Sequence, residues 1–258
     1  MLYKIHVKLN LGIDFTSFIY NYLVERIIIP LFSSKFGPKF SPKSGVPQGS
    51  VLGPILFLIF VYDIPEPIYN NTIVAQFADD VVHVVISDCT NHMNRATNVV
   101  SKLKREVTRT IEWEENWKIK TCFEKCYVGF SGTSKYTLEN IGGISIRGHP
   151  IEIKNNIKIL GYTLTNYLTP SMHVQSIQAI AHTNITKLLR FSDAPIKIKK
   201  YLYLSLIRPL IEYPCHELSQ SNITHIRSLQ RVQNRALRFI YNIKPLEHIR
   251  SETLHNRA

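Results

Sequence analysis

TIVAQFADDVVHVVI, residues 72–86, is two runs rich in Val, Ile and Phe, broken by Ala78-Asp79-Asp80. β-branched and aromatic residues suit a pleated strand, and an acidic break between two such runs is the pattern of a β-hairpin with carboxylates at its tip. Adjacent carboxylates at a tip can present several hard oxygens to Mg²⁺. Two-metal phosphoryl transfer needs a cluster of that kind. Asp is also a preferred turn residue, so the pair by itself is first the mark of a solvated turn.

Upstream lies SGVPQGSVLGP, residues 44–54. Gly45 and Gly49, on either side of Pro47, let backbone approach a ligand closely, and Gln48 offers both a donor and an acceptor. That chemistry suits a nucleotide or template pocket; a tight turn before a helix would also use the Gly and Pro. The run Val51 to Tyr62 reads as a buried helix. It stops at Asp63, well short of the roughly 20 residues a membrane span needs.

On the N-terminal side, Phe15, Phe18, Ile19 and Leu23 recur at helical spacing behind Asp14 as N-cap. Arg26–Phe32 and Phe36–Ser44 read as a strand and a return strand. On the C-terminal side, Val100, Leu103, Val107 and Ile111 place a long amphipathic helix over residues 94–118. Tyr127–Phe130 and the Ile144–Leu164 region are strand-like, with turns at Gly142-Gly143 and Gly148-His149-Pro150. Beyond Thr169 the pattern is helical, over residues 173–191, 195–213 and 222–241.

The chain of 258 residues is 45% hydrophobic and 19% charged, enough apolar content for one large or two small globular units, and disorder is excluded. Its net charge is +12; residues 171–258 hold 13 Lys/Arg against 5 Asp/Glu, or +8 of that total. Such an excess attracts polyanions. Arg227, Arg231, Arg235 and Arg238 are spaced 4, 4 and 3 apart, a basic stripe suited to tracking phosphates, with Ile226, Leu229, Val232, Ala236 and Ile240 on the opposite face. A charged helix face can equally be plain solvated surface. Cys89, Cys122, Cys126 and Cys215, with no secretory signal, point to reduced thiols in an intracellular protein of nucleus or cytoplasm, not a secreted one. The Cys122/Cys126 spacing is poor for zinc, and the pair reads as buried thiols.

Taken together, residues 44–54 followed by Phe77-Ala78-Asp79-Asp80 resemble the nucleotide-pocket and metal motifs of reverse transcriptases from non-LTR retrotransposons, particularly jockey-like elements. The similarity continues through Trp117-Lys118-Ile119-Lys120, Lys125 and Phe130. It runs on through Lys158–Leu164, which resembles a primer-grip hairpin with Leu160 and Gly161 as its grip residues, and through residues 204–213 and 229–239. The resemblance implies template-directed DNA synthesis from RNA, a nucleotidyl transfer assisted by Mg²⁺, with Mn²⁺ as substitute. The implied partners are an RNA template, a DNA primer or target DNA and deoxynucleotides, and no membrane.

By position, Asp79 and Asp80 are similar to the second and third metal carboxylates. Gly45, Pro47, Gln48, Gly49 and Phe77 would line the nucleotide and template. Lys125 matches the lysine that serves the departing pyrophosphate, its alternative being a solvated surface lysine; Phe77 can also serve as core packing. Family members place an aspartate-bearing strand shortly before the segment that is here Leu2-Tyr3-Lys4, and fingers before that. Neither is found in this chain.

The expected fold is α+β: a truncated polymerase palm, a small antiparallel sheet crossed by helices, over residues 1–168, followed by a helical thumb-like region over residues 169–258. The expected function is an incomplete RNA-directed DNA polymerase domain, inactive alone. The alternative is a non-catalytic nucleic-acid-binding remnant.

Overall fold

The computed structural model describes residues 2–88, 92–132, 143–213, 222–244 and 247. The chain forms two compact units, one from residues 1–122 with 145–149, the other from 123–144 with 150–258.

The first unit opens with a wide helical turn, Lys4–Lys8, closed by a hydrogen bond from the Leu9 N–H to the Lys4 carbonyl (2.9 Å). Helix α1 (Ile13–Leu23) and a minimal hairpin, β1 (Leu31–Phe32) and β2 (Lys35–Phe36), follow. Then come α2 (Leu52–Val61), the hairpin β3 (Thr72–Phe77) and β4 (Asp80–Val85), and α3 (His92–Asn116). Ile5, Ile19 and Leu56 form a small core joining the first turn, α1 and α2.

Beside that core sits a buried charge. Lys4 has no solvent exposure. Its ammonium donates to Asp63 and to the Phe60 carbonyl, and lies 3.8 Å from the ring centre of Trp117, 4.7 Å from that of Trp113 and 4.9 Å from that of Phe60. The Asp63 carboxylate also accepts from Lys8 Nζ (2.6 Å) and Trp113 Nε1 (3.1 Å). Burial alone would raise the Asp63 carboxyl, but the hydrogen bonds from Lys4, Lys8 and Trp113 outweigh it and hold it below the usual carboxylate range. Burial pulls the Lys4 ammonium below its ordinary value.

A second buried carboxylate, Glu106 of α3, accepts from the Ile68 and Tyr69 N–H groups (2.8 and 3.2 Å) and so fixes the approach to β3. His83 of β4 sits 3.3 Å from Thr110 Oγ1 of α3, and burial lowers its pKa. The segment 145–149 belongs to this unit because Arg147 pairs with Glu112 and Glu115 of α3.

In the second unit β5 (Tyr127–Val128) pairs in parallel with residues of β7 (His149–Ile153), which follows β6 (Ile144–Ile146) through the turn Arg147-Gly148. The hairpin β8 (Asn156–Ile159) and β9 (Tyr162–Thr165) comes next. All described elements after residue 168 are helical: α4 (Ser171–Leu188), α5 (Ile196–Leu206), α6 (Arg208–Glu212) and α7 (Ile223–Ile240). α4, α5 and α7 close on Ala181, Ile185, Tyr203, Val232, Ala236 and Leu237.

The architecture is mixed helix and small sheet, as expected, with four differences. Instead of one antiparallel sheet there are separate small sheets, and one contains a parallel pair. Asp14 lies inside α1 and makes no cap; Gly12 occupies the N-cap. The strands expected at 26–32 and 36–44 shrink to two residues each plus a bridge between Ile28 and Phe40, because Ile27, Leu31, Phe32 and Phe36 find nothing to pack on and stay exposed. Cys122 is exposed and Cys126 half-buried, so the reading of both as buried thiols does not hold. Cys89, Cys215 and Gly142 lie outside the described residues. Compactness divides the chain at Cys122, with 145–149 joining the first unit, whereas the described elements become exclusively helical only beyond residue 168.

Asp63→Asn strands the Lys4 ammonium and is expected to cost about 3–5 kcal/mol in chemical denaturation. Lys4→Met costs less, since Lys8 and Trp113 still serve Asp63. Because the folded pKa of Asp63 is depressed, its stabilisation is complete above the unfolded pKa of about 4 and is lost as pH falls through the lower folded value. The wild-type advantage over Asp63→Asn should therefore narrow in that acid window; a gap independent of pH would show that Asp63 is not ionised in the fold.

Candidate functional site

The six-rung ladder of β3 and β4 runs from Thr72↔Val85 to Phe77↔Asp80, leaving Ala78 and Asp79 as a two-residue turn. Ala78 adopts φ +50°, a left-handed conformation that costs a residue with a Cβ roughly 1–2 kcal/mol. Its carbonyl accepts from the Gln76 side-chain amide (3.0 Å). The turn carries Asp79, and Asp80 stands opposite Phe77 on the same face. Both carboxylates are exposed, and neither has an ion-pair partner among the described residues. Phe77 is 64% exposed, so it does not pack in a core.

The segment from Ser44 to Pro54 lies in the same unit. Gly45 and Gly49 adopt φ +87° and +79°, which glycine supplies without strain, and neither has an atom within 4 Å of where a side chain would stand. Arg26 holds the segment's start, donating Nη2 to the Gly45 carbonyl (2.7 Å) and Nε to the Leu23 carbonyl (2.9 Å). Ser50 Oγ donates to the Pro47 carbonyl (2.6 Å) and accepts from the Gly53 N–H (3.0 Å). A Cβ at Gly53 would stand 2.8 Å from the Pro47 carbonyl oxygen, so only glycine permits this approach. Local structure therefore accounts for Pro47, Ser50 and Gly53. Gln48 is exposed, and its amide makes no hydrogen bond among the described residues.

The remaining expected site residues belong to the second unit. Lys125 ends the single turn Phe123–Lys125 and is exposed. Leu160 and Gly161 form the β8–β9 turn with φ +49° and +82°, a pair of left-handed residues matching the twist of a two-residue hairpin. Glycine takes that conformation freely; Leu160 bears the same cost as Ala78.

On α7, Leu229, Val232, Ala236 and Ile240 are buried while Arg227, Arg231 and Arg235 are exposed; Ile226, expected on the apolar face, is exposed too, one turn from the helix start. Asn222 caps the helix, accepting from the Thr224 N–H (3.1 Å). Arg238 differs from its neighbours: it is half-buried and donates to the Lys244 and Glu247 carbonyls (2.9 and 2.7 Å), tying down the chain beyond the helix. Arg235 Nη1 lies 3.1 Å from His182 Nδ1 of α4. Arg227 and Arg231 have no hydrogen-bond or ion-pair partner among the described residues. Arg26, His182 and Ser50 carry no expectation from sequence; the helix-start pattern around Ser50 is the one signal that could have pointed to any of them.

The pair Asp79 and Asp80 offers hard oxygens of the kind Mg²⁺ and Mn²⁺ take. Among the described residues no group of three or more His, Cys, Asp or Glu stands together as a metal cluster. No described helix is long and apolar enough to cross a membrane.

The profile of the family described as reverse transcriptase (RNA-dependent DNA polymerase) matches residues 5–164, more than half of the chain. The chain is 27% identical, over 261 aligned residues, to a probable RNA-directed DNA polymerase from the transposon X-element of Drosophila melanogaster, covering 98% of this chain and 27% of that protein. It is 28% identical to the RNA-directed DNA polymerase from the mobile element jockey of the same fly, over 76% of this chain and 22% of that protein. It is 26% identical to a probable polymerase from transposon BS, over 91% and 26% respectively. The chain thus spans about a quarter of the length of the curated relatives it matches. No solved structure matches it significantly.

Arg231→Glu with Arg235→Glu tests the α7 stripe. The double variant should bind an RNA or primer–template duplex more weakly, and its plot of log affinity against log salt should flatten by roughly 0.7–0.9 for each phosphate no longer neutralised. An unchanged slope would take the stripe off the binding face.

Proposed function

The chain belongs to the reverse transcriptase (RNA-dependent DNA polymerase) family, and from that membership we propose that it is the part of a jockey-like non-LTR retrotransposon polymerase that carries the metal hairpin, the nucleotide loop and a nucleic-acid-binding helical region. The observation that carries this reading is the coincidence of the family match with an exposed Asp79–Asp80 pair at the tip of a six-rung hairpin. In the proposal, residues 1–168 supply the palm portion and 169–258 a thumb-like region. The work is intracellular.

Asp79 and Asp80 would hold Mg²⁺ or Mn²⁺, which when bound would lower the cost of charge developing on the attacking and leaving oxygens. Gly45, Pro47, Gln48 and Gly49, with Phe77, contact the incoming deoxynucleotide and template; the unengaged Gln48 amide is available for both. Lys125 donates a proton or positive charge to the departing pyrophosphate. Leu160 and Gly161 grip the primer, and Arg227, Arg231 and Arg235 follow the backbone of the template–primer, while Arg238, expected on the same stripe, is engaged by the Lys244 and Glu247 carbonyls.

A second reading, binding without catalysis, is favoured by one observation: no third carboxylate joins Asp79 and Asp80 among the described residues. Two carboxylates leave most of the coordination to water and weaken the hold on the ions. Primer extension separates the readings. Residues 1–258 alone should not extend a primer, and fusion of a relative's aspartate-bearing N-terminal polymerase segment before Met1 should restore extension. In that fusion Asp79→Asn should abolish activity, while Lys125→Ala should cost about 10²–10⁴-fold, as loss of a proton donor does. Extension by the unfused chain would sink the second reading; a fusion insensitive to Asp79→Asn would sink the first.

A further inference from the structure

The β8–β9 hairpin is held from outside by two tyrosines. In an antiparallel ladder alternate residues turn their N–H and C=O away from the partner strand. With Ile159↔Tyr162 closing the two-residue turn, Lys158 is one that faces outward. The Tyr127 hydroxyl takes both groups, donating to the Lys158 carbonyl and accepting from the Lys158 N–H (3.2 Å), and so stands in for a neighbouring strand. At the turn itself the Tyr213 hydroxyl donates to the Leu160 carbonyl (2.6 Å). Its ring stands 3.8 Å from where a Cβ on Gly161 would be. Tyr213 follows directly on α6, so a residue of the helical region grasps the tip of the sheet region within one unit.

The conformation being held is one that leucine disfavours. Leu160 is left-handed, yet its side chain is 43% exposed, so no burial compensates for the strain. A strained residue over-determined by its surroundings is a mark of a functional position. Here the surroundings are two hydroxyl clamps, on the carbonyls of Lys158 and Leu160.

We propose that Tyr127 and Tyr213 are positioning residues that hold the Leu160-Gly161 turn in its strained form, so that the Leu160 side chain presents an apolar contact to the sugar of a primer 3′ end. The inference rests on the reading of this hairpin as the primer grip. It adds that the grip's geometry is set from the α6 end, through one phenol.

Tyr213→Phe, Tyr127→Phe and the double variant remove the hydroxyls and keep the rings. Amide exchange at Gly161 and Tyr162 reports the turn. Affinity for a DNA–RNA duplex with a recessed DNA 3′ end, against a blunt duplex of the same sequence, reports end recognition apart from binding by the arginines. Each single variant should speed exchange at the turn about 2- to 10-fold, the range one net hydrogen bond gives. Each should weaken recessed-end binding by a similar factor while leaving the blunt duplex unchanged and lowering the thermal midpoint by only a few degrees, as loss of about 1 kcal/mol does in a chain of this size. Unchanged exchange would overturn the clamp itself. Faster exchange with recessed-end affinity intact would leave the clamp standing and overturn its role in gripping a primer. Failure of the wild type to bind either duplex would overturn both the grip and the function proposed above. Leu160→Gly, which relieves the strain, should reproduce the loss of end preference without disturbing either tyrosine.

Discussion

Lys4 is an ammonium enclosed by three aromatic rings, a carbonyl and one carboxylate, and the arrangement of the first unit hangs on it. A charge taken out of water is tolerated only where its partners are complete, so the Asp63–Lys4 contact admits little latitude. It fastens the opening turn to the end of α2 and, through Trp113 and Trp117, to the end of α3. The other end of α2 begins in the Gly/Pro segment, and the flank of α3 carries β4. The placement of loop and hairpin is thereby referred to one buried ion pair lying away from both.

Charged groups in this chain fall into two populations. Asp63, Glu106, Arg26 and Arg147 are engaged by the partners described and serve the fold. Asp79, Asp80, Arg227 and Arg231 stand exposed without partners among the described residues, at a turn or along one helix face. Surface ion pairs contribute little stability, so leaving these groups unpaired costs the fold almost nothing and keeps them available to ions and phosphates. Arg238, which shares the stripe's spacing, belongs by its contacts to the first population.

The hairpin, α2, α3 and the C-terminal helices were legible in the sequence because each depends on a local pattern: β-branched and aromatic runs broken by acids for β3 and β4, one apolar run for α2, and spacings of three and four for α3 and α7. The family was legible because residues 44–54 and 77–80 form a specific string. The keystone was not. Lys4 and Asp63 are ordinary residues of one helical turn and one helix end, and nothing local announces that a long stretch of chain folds back to join them. Tyr127 and Tyr213 were invisible for the same reason, since each acts on a backbone group far along the chain. The strands after Arg26 were overread: β propensity was present, but no partner surface was.

The two-residue turn of the β3–β4 hairpin also bears on the order in which the molecule assembles. Its widest rung joins residues only 13 apart, Thr72 with Val85, and hairpins of this kind close within about 1–10 μs. The Lys4–Asp63 contact must close a span of 59 residues, and such non-local contacts are slow to be won. The register of the acidic tip can therefore close early, but an isolated two-stranded hairpin is only marginally stable in water, so the tip persists only once α2, α3 and the opening turn lock around the ammonium. A lesion at the keystone would leave the local pairing rule of the tip unchanged and its position adrift.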